Sequence, residues 1–201
     1  KACRYLCTKY DVLFIADEIA TGLGRTGKLF GCNWAEISPD IMCLGKTLTG
    51  GYMTLAATLC TEHIAETISN GEAGCFMHGP TFMANPLACA VANASLALLE
   101  TGEWRQQVNF IESFLKQYLL PLNSHKSVIN ARVLGGIGVI ETHSPVNMAT
   151  IQKRFVELGV WIRPFGRLIY IMPPFISNED DLEMLVNAIS TVLDEEQCFN
   201  R

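Results

Sequence analysis

"ADEIATGLGRTGKLF", residues 16–30, decides how this chain is read. Gly22, Gly24 and Gly27 fit G-x-G-x-x-G letter for letter, the spacing that lets backbone approach a dinucleotide pyrophosphate. That fingerprint needs its first glycine at a strand end, with a helix N-terminus directly behind it. Here the apolar run "VLFIA" (12–16), the pattern of a strand covered on both faces, ends in Asp17 and Glu18. Ile19, Ala20 and Thr21 then intervene before Gly22. Two carboxylates at the strand end repel a pyrophosphate, so the glycines read as a loop and the NAD-dependent oxidoreductase reading falls. The acids become the feature of interest.

"IMCLG" (41–45) reads as a second buried strand and ends at Lys46, 29 positions after Asp17. Between the two, "GKLFGCNWAEI" (27–37) reads as a helix broken by Ser38, Pro39 and Asp40. That is about the length of a β-α-β unit. A right-handed connection sets such strands side by side with both C-terminal ends on one edge. Ligands bind α/β sheets at that edge. A carboxylate and an amine would then face one pocket. Pyridoxal phosphate (PLP) chemistry uses this pair: the amine condenses with the aldehyde, and the carboxylate keeps the pyridine nitrogen protonated. Spacing alone also leaves open a helix-capping aspartate and an ordinary surface lysine.

Downstream, Gly50 and Gly51 turn the chain into a third strand, "TLAATLC" (54–60), followed by a helix at 62–70. A Gly-rich polar stretch, "GEAGCFMHGPTFMAN", precedes helices at 85–101 and about 103–120. From 128 the character changes: "ARVLGGIGVIET" reads as a strand, "VNMATIQKRFVELG" as a helix, and "VWIRPFGRLIYIMPP" as two short strands around a glycine turn. In "NEDDLEMLVNAISTVLDEE", Asn178 is the expected N-cap, and Leu182, Leu185, Val186, Ile189, Val192 and Leu193 form one apolar face. The expectation is an α/β chain divided into 1–105, part of a large mixed-sheet domain, and 106–201, a connecting helix with a small α+β domain.

The net charge of −5, with no basic run, argues against nucleic acid or an anionic membrane as partner. The most apolar segment, "NPLACAVANASLALL" (85–99), is too short to span a bilayer. Its alanines suit a helix lying close against other elements. Eight cysteines contain no C-x-x-C pair, and the four histidines show no ligand spacing. They are read as reduced packing residues of a cytoplasmic protein with no metal site and no signal peptide. The chain opens on Lys1, and "KACRYLCTKYD" reads as the end of a helix already under way, as in the C-terminal part of a longer protein.

"FIADEIATGLGRTGKLF" and "PDIMCLGKTLTGGYMTLAAT" together resemble the class III aminotransferases of PLP fold type I. In that family D-E-x-x-T-G-x-G-R-T-G supplies the pyridinium aspartate and L-G-K-x-L-T-G-G the Schiff-base lysine, which fall on Asp17 and Lys46. The form H-G-P-T-F-M-x-N-P-L-A-C-A at 78–90 resembles the branch that moves an amino group from S-adenosylmethionine to 8-amino-7-oxononanoate in biotin synthesis. "GVWIRPFGRLIYIMPP" agrees with that branch. The resemblance implies a homodimer in which Pro80 and Thr81 reach the cofactor phosphate of the neighbouring subunit. Gly79 would lie against the keto substrate and Arg163 would clamp its carboxylate. Arg25 and Tyr170 would line the substrate pocket, while His78 is left as a loop residue. Ala84 departs from the family's usual glycine before Asn-Pro, and a packing change is expected there. The family's N-terminal half, with its phosphate loop and ring-stacking aromatic, would lie outside these residues, leaving this chain inactive alone. Another ω-aminotransferase of the class, acting on ornithine, 4-aminobutyrate or a diamine, and a non-catalytic remnant remain as alternatives.

Overall fold

The computed structural model describes residues 1–200, and the chain separates into two units, Lys1–Glu103 and Trp104–Arg201. In the first, helix α1 (Ala2–Lys9) precedes strand β1 (Ile15–Asp17), which pairs parallel with β2 (Ile41–Leu44). Strand β3 (Ala57–Cys60) then pairs antiparallel with β2, making a mixed sheet in the order β1-β2-β3. Helices α2 (Glu62–Ser69) and α3 (Pro86–Glu100) follow. The alanines of α3 do bring it close: Ala88 and Ala92 are buried, and Ser95 Oγ donates to the Thr47 carbonyl at 2.9 Å.

Two expectations change here. The 27–37 stretch is a run of turns closed by a single 3-10 turn, Gly31–Trp34, because the glycines and a buried acid, described below, satisfy its backbone in place of a helical ladder. The apolar run into β1 is bare: Val12, Leu13 and Ile15 are each more than half exposed, since no described element covers them. The cysteines follow the same pattern. Only Cys198 is buried, and Cys3, Cys60 and Cys75 are exposed rather than packed, all three in the sparsely covered first unit.

The second unit builds its own core. Helix α4 (Trp104–Tyr118) buries Trp104, Val108, Ile111 and Leu115 at helical spacing. The 128–142 stretch is a hairpin of β4 (Val128–Leu134) and β5 (Ile137–Thr142) rather than one strand. Gly135 (φ +55°) opens its two-residue turn, which needs the positive φ that matches strand twist. Helix α5 (Met148–Glu157) precedes β6 (Leu168–Ile171), which pairs antiparallel with β5. The expected partner strand before Gly166 shrinks to one bridge, Phe165 to Leu168. Helix α6 (Glu179–Asp194) starts on a capping box in which Asn178 accepts from the Asp181 N–H and Asp181 accepts from the Asn178 N–H. Leu182, Val186, Ile189, Val192 and Leu193 then turn inward onto Ile140, Ile151, Phe155 and Ile169.

Gly138 in β5 faces that core. A Cβ there would lie 2.8 Å from Leu119 Cδ2 and 3.2 Å from both Ile171 Cγ1 and Leu115 Cδ1. Gly138→Val is expected to overpack the second unit by about 1–3 kcal/mol, lowering its denaturation midpoint, and an unchanged midpoint would contradict the packing described.

Candidate active site

The parallel pairing of β1 with β2 sets Ile15 beside Ile41, Ala16 beside Met42 and Asp17 beside Cys43. Lys46 follows Cys43 by three residues on the neighbouring strand, so the acid and the amine leave the sheet at the same edge. After Leu44, Gly45 is extended, and Lys46 takes φ +47° at the head of a 3-10 turn, Lys46–Thr49. A left-handed backbone at a residue with a Cβ costs about 1–2 kcal/mol and persists only where the surroundings over-determine it. They do here. Leu48 is buried with Leu23 and Ala92, Thr49 Oγ1 donates to the Met53 carbonyl, and Ser95 holds the Thr47 carbonyl. Gly50 (φ +59°) and Gly51 (φ +85°) release the chain on the far side.

Asp17 and Glu18 divide at the strand end. Glu18 is 4% exposed and its carboxylate is surrounded by donors: Thr21 Oγ1 at 2.5 Å, the Gly31 N–H at 3.0 Å and the Cys32 N–H at 2.8 Å. Its carbonyl accepts from the Gly22 N–H at 2.8 Å. A Cβ on Gly22 would fall 2.8 Å from that carbonyl oxygen, so the first glycine is there for close approach to Glu18. Gly24 and Gly27 supply the positive φ angles that fold the loop back. Burial works to raise the Glu18 pKa, but the bonds from Thr21, Gly31 and Cys32 outweigh it and hold the carboxyl below its ordinary 4.5. The sign follows: this anion stabilises the loop fully above about pH 4.5, and the contribution is lost as pH falls through its depressed value.

Asp17, by contrast, is exposed. Its Oδ1 accepts from the Ile19 N–H at 3.0 Å, which fixes the carboxylate while its other oxygen has no partner among the described residues. The Lys46 side chain is exposed and makes no ion pair among the described residues, with Asp17 or with any other acid. An unpaired acceptor and an unpaired amine on adjacent strand ends are a donor set suited to a small polar ligand.

Gly79, Pro80 and Thr81 lie on the exposed loop before α3, and a Cβ at Gly79 would meet nothing within 4 Å. The loop ends where Asn85 caps α3, accepting from the Ala88 N–H at 2.9 Å, with Pro86 at the first helical position. Ala84 carries φ +53°, so its departure from glycine is a matter of backbone conformation, not the packing change expected. Arg25, in the glycine loop, is half-buried, and that burial brings its pKa down to about 10, leaving it cationic at neutral pH. Arg163 and Tyr170 belong to the second unit, where the structure brings them together on a surface cavity of about 300 Å³ with Trp161, Met172, Pro173 and Leu185. Among the described residues Arg163 makes no ion pair.

Sequence reasoning passed over Glu18. The signal was present in two adjacent acids at a strand end, only one of which can face a ligand while the other needs donors of its own. Ser95 and Thr49, which brace the lysine turn, carry no signal outside three dimensions.

This arrangement places the chain in a known class. Residues 1–193 match the family "Aminotransferase class-III", and the chain belongs to that family. It is 55% identical over 199 residues, 99% of its length, to a protein of Buchnera aphidicola subsp. Acyrthosiphon pisum named adenosylmethionine-8-amino-7-oxononanoate aminotransferase. A Corynebacterium glutamicum protein of the same name is 53% identical over 185 residues, 92% of the chain. The chain spans 46% and 44% of these two proteins. Among solved structures, the omega transaminase of Pseudomonas jessenii in complex with PMP matches with a TM-score of 0.87 at 31% identity, covering 96% of this chain and 45% of that one. A PLP-bound amine transaminase from an uncultivated Pseudomonas species matches with a TM-score of 0.86 at 31% identity, covering 98% and 47%. No described helix is long and apolar enough to cross a membrane.

The strain at Ala84 is measurable. Ala84→Gly is expected to raise stability by about 0.5–1 kcal/mol through relief of the left-handed backbone, read as a higher urea midpoint at unchanged slope. A lower midpoint would contradict the conformation.

Proposed function

We propose that the protein, at the length its relatives have, transfers an amino group from S-adenosylmethionine to 8-amino-7-oxononanoate, giving 7,8-diaminononanoate, with PLP as cofactor. The observation that carries this is the pair Asp17, with one carboxylate oxygen open, and Lys46, with no ion pair among the described residues, at adjacent parallel strand ends. The relatives at 53–55% identity bear the name of that reaction, and the solved neighbours hold PLP or PMP. The donor set fits the cofactor: the open Asp17 oxygen suits a protonated ring nitrogen, and the Lys46 amine suits an aldehyde. Thr81 offers an N–H and Oγ1, and Pro80 a fixed φ, to a phosphate across a homodimer interface. The bare apolar approach to β1 is consistent with cover from the additional length those relatives carry. This is also why we infer that the 201 residues alone do not turn over. A cytoplasmic location fits the free cysteines.

Bound PLP supplies an aldehyde to carry the amino group and an electron sink for the donor's broken C–H bond. The residues of this chain do the rest. Lys46 Nζ would hold the aldehyde and, once freed by the donor amine, would move the proton from the donor's reacting carbon to the cofactor carbon. Asp17 would keep the ring nitrogen protonated. With the keto acceptor, Lys46 would move a proton in the opposite sense, from the cofactor carbon to the acceptor's reacting carbon. Arg163 would bond both oxygens of the acceptor carboxylate, Gly79 would leave room beside a substrate chain, and Arg25 and Tyr170 would each contact substrate.

The test uses the protein extended to its relatives' length and loaded with PLP. S-adenosylmethionine alone should convert the cofactor to its pyridoxamine form, read by absorbance. No conversion with it, but conversion with ornithine or 4-aminobutyrate, would move the protein to another branch of the class. Absence of conversion with every one of these donors would favour a non-catalytic remnant. Arg163→Ala should raise KM for the keto acid by about 10–100-fold, the loss of a charge-assisted bidentate pair, with little change for S-adenosylmethionine. Equal loss for both substrates would contradict the carboxylate clamp.

A further inference from the structure

We propose that Glu18 is a positioning residue that sets Arg25 for substrate by closing the loop 18–32 on its own carboxylate. This rests on the reading of Arg25 as a substrate-pocket residue. The loop begins and ends at Glu18. At its start the Glu18 carbonyl accepts from Gly22, and the Thr21 hydroxyl bonds the Glu18 side chain. At its end the Gly31 and Cys32 N–H groups donate to the two carboxylate oxygens.

Between these ties the backbone closes on itself. Gly24 N–H donates to the Leu29 carbonyl at 3.1 Å and Gly27 N–H to the Gly24 carbonyl at 2.9 Å. Trp34 Nε1 donates to the Thr26 carbonyl at 3.1 Å, and Leu23 is buried against Leu48 and Ala92. Arg25 lies at the head of this closed loop, flanked by two residues the loop already fixes. No lysine or arginine forms an ion pair with Glu18 among the described residues, so its charge is balanced by donors of the loop alone. A carboxylate so placed is at once the loop's template and the reason it is glycine-rich. A Cβ at Gly31 would lie 3.2 Å from both carboxylate oxygens, and one at Gly22 would strike the Glu18 carbonyl.

Gln at this position keeps the shape but turns one acceptor oxygen into an NH₂ that faces a backbone N–H. Exchange of a donor–acceptor pair for a donor–donor pair opens one end of the loop. The experiment is a double-mutant cycle in the full-length, cofactor-loaded protein with Glu18→Gln, Arg25→Ala and both together, reading KM and kcat separately for each substrate. Glu18→Gln is expected to raise, by about tenfold, the KM of whichever substrate Arg25→Ala affects, with kcat changed by less, and to add nothing further in the Arg25→Ala background. Hydrogen exchange at the Gly31 and Cys32 amides should speed up in the same variant.

Additive effects, or a Glu18→Gln enzyme with wild-type KM, would overturn the proposal. Should Glu18→Gln fail to fold, Thr21→Val removes one of the three bonds and should move the same KM in the same direction by a smaller factor; no shift there overturns it as well. Loss of turnover in the wild-type protein itself would instead sink the transaminase reading, and the exchange measurement on Gly31 and Cys32 would still decide whether Glu18 closes the loop.

Discussion

The parallel pairing of β1 with β2 is the constraint on which the site depends. Three residue pairs, ending with Asp17 beside Cys43, are enough to bring two distant parts of the chain to one sheet edge. Parallel strands need a long crossover, and in most α/β proteins a helix provides it. Here the crossover is made of turns and one 3-10 turn. Such a connection cannot satisfy its own backbone as a helix would, and Glu18 takes over part of that task. The acid next to the candidate catalytic acid is thus structural, and the division leaves Asp17 with an open oxygen.

The two units are stabilised in different ways. The second has a continuous apolar core drawn from α4, β4–β6, α5 and α6, with helix caps and a glycine that admits close packing. The first buries few apolar side chains and relies on polar locks: Glu18 in the loop, Thr49 and Ser95 at the lysine turn, Asn85 at the head of α3. Two of its five non-glycine residues with positive φ, Lys46 and Ala84, belong to elements that carry candidate site groups. Hydrogen-bonded locks of this kind hold geometry without needing a large core. They suit a region whose surface is given over to a ligand.

Much of this was legible in the residues. The placement of Asp17 and Lys46 at one sheet edge could be read because apolar runs mark strands and because handedness fixes which ends share an edge. The helices from α3 onward followed from periodicity and from caps such as Asn178. The 27–37 stretch misled because its apolar spacing mimics a helix, whereas the donors it presents go to Glu18, 13 and 14 residues earlier in sequence. The hairpin at 135–136 was hidden inside one apolar run, although Gly135 marked its turn. Exposure of Val12 and Leu13 was not legible, since a pattern shows what a segment is built to bury and not what is there to cover it. The grouping of Arg163 with Tyr170 on one cavity comes from the turn between them, and only the fold displays it.

The central claim is that Lys46 is the residue that holds the cofactor. The most direct measurement is borohydride reduction of the full-length, PLP-loaded protein, followed by proteolysis and mass mapping of the modified peptide. The account predicts a single stable adduct on Lys46, in the peptide that runs from β2 into the 3-10 turn. An adduct confined to another lysine, or none after reduction, would contradict it.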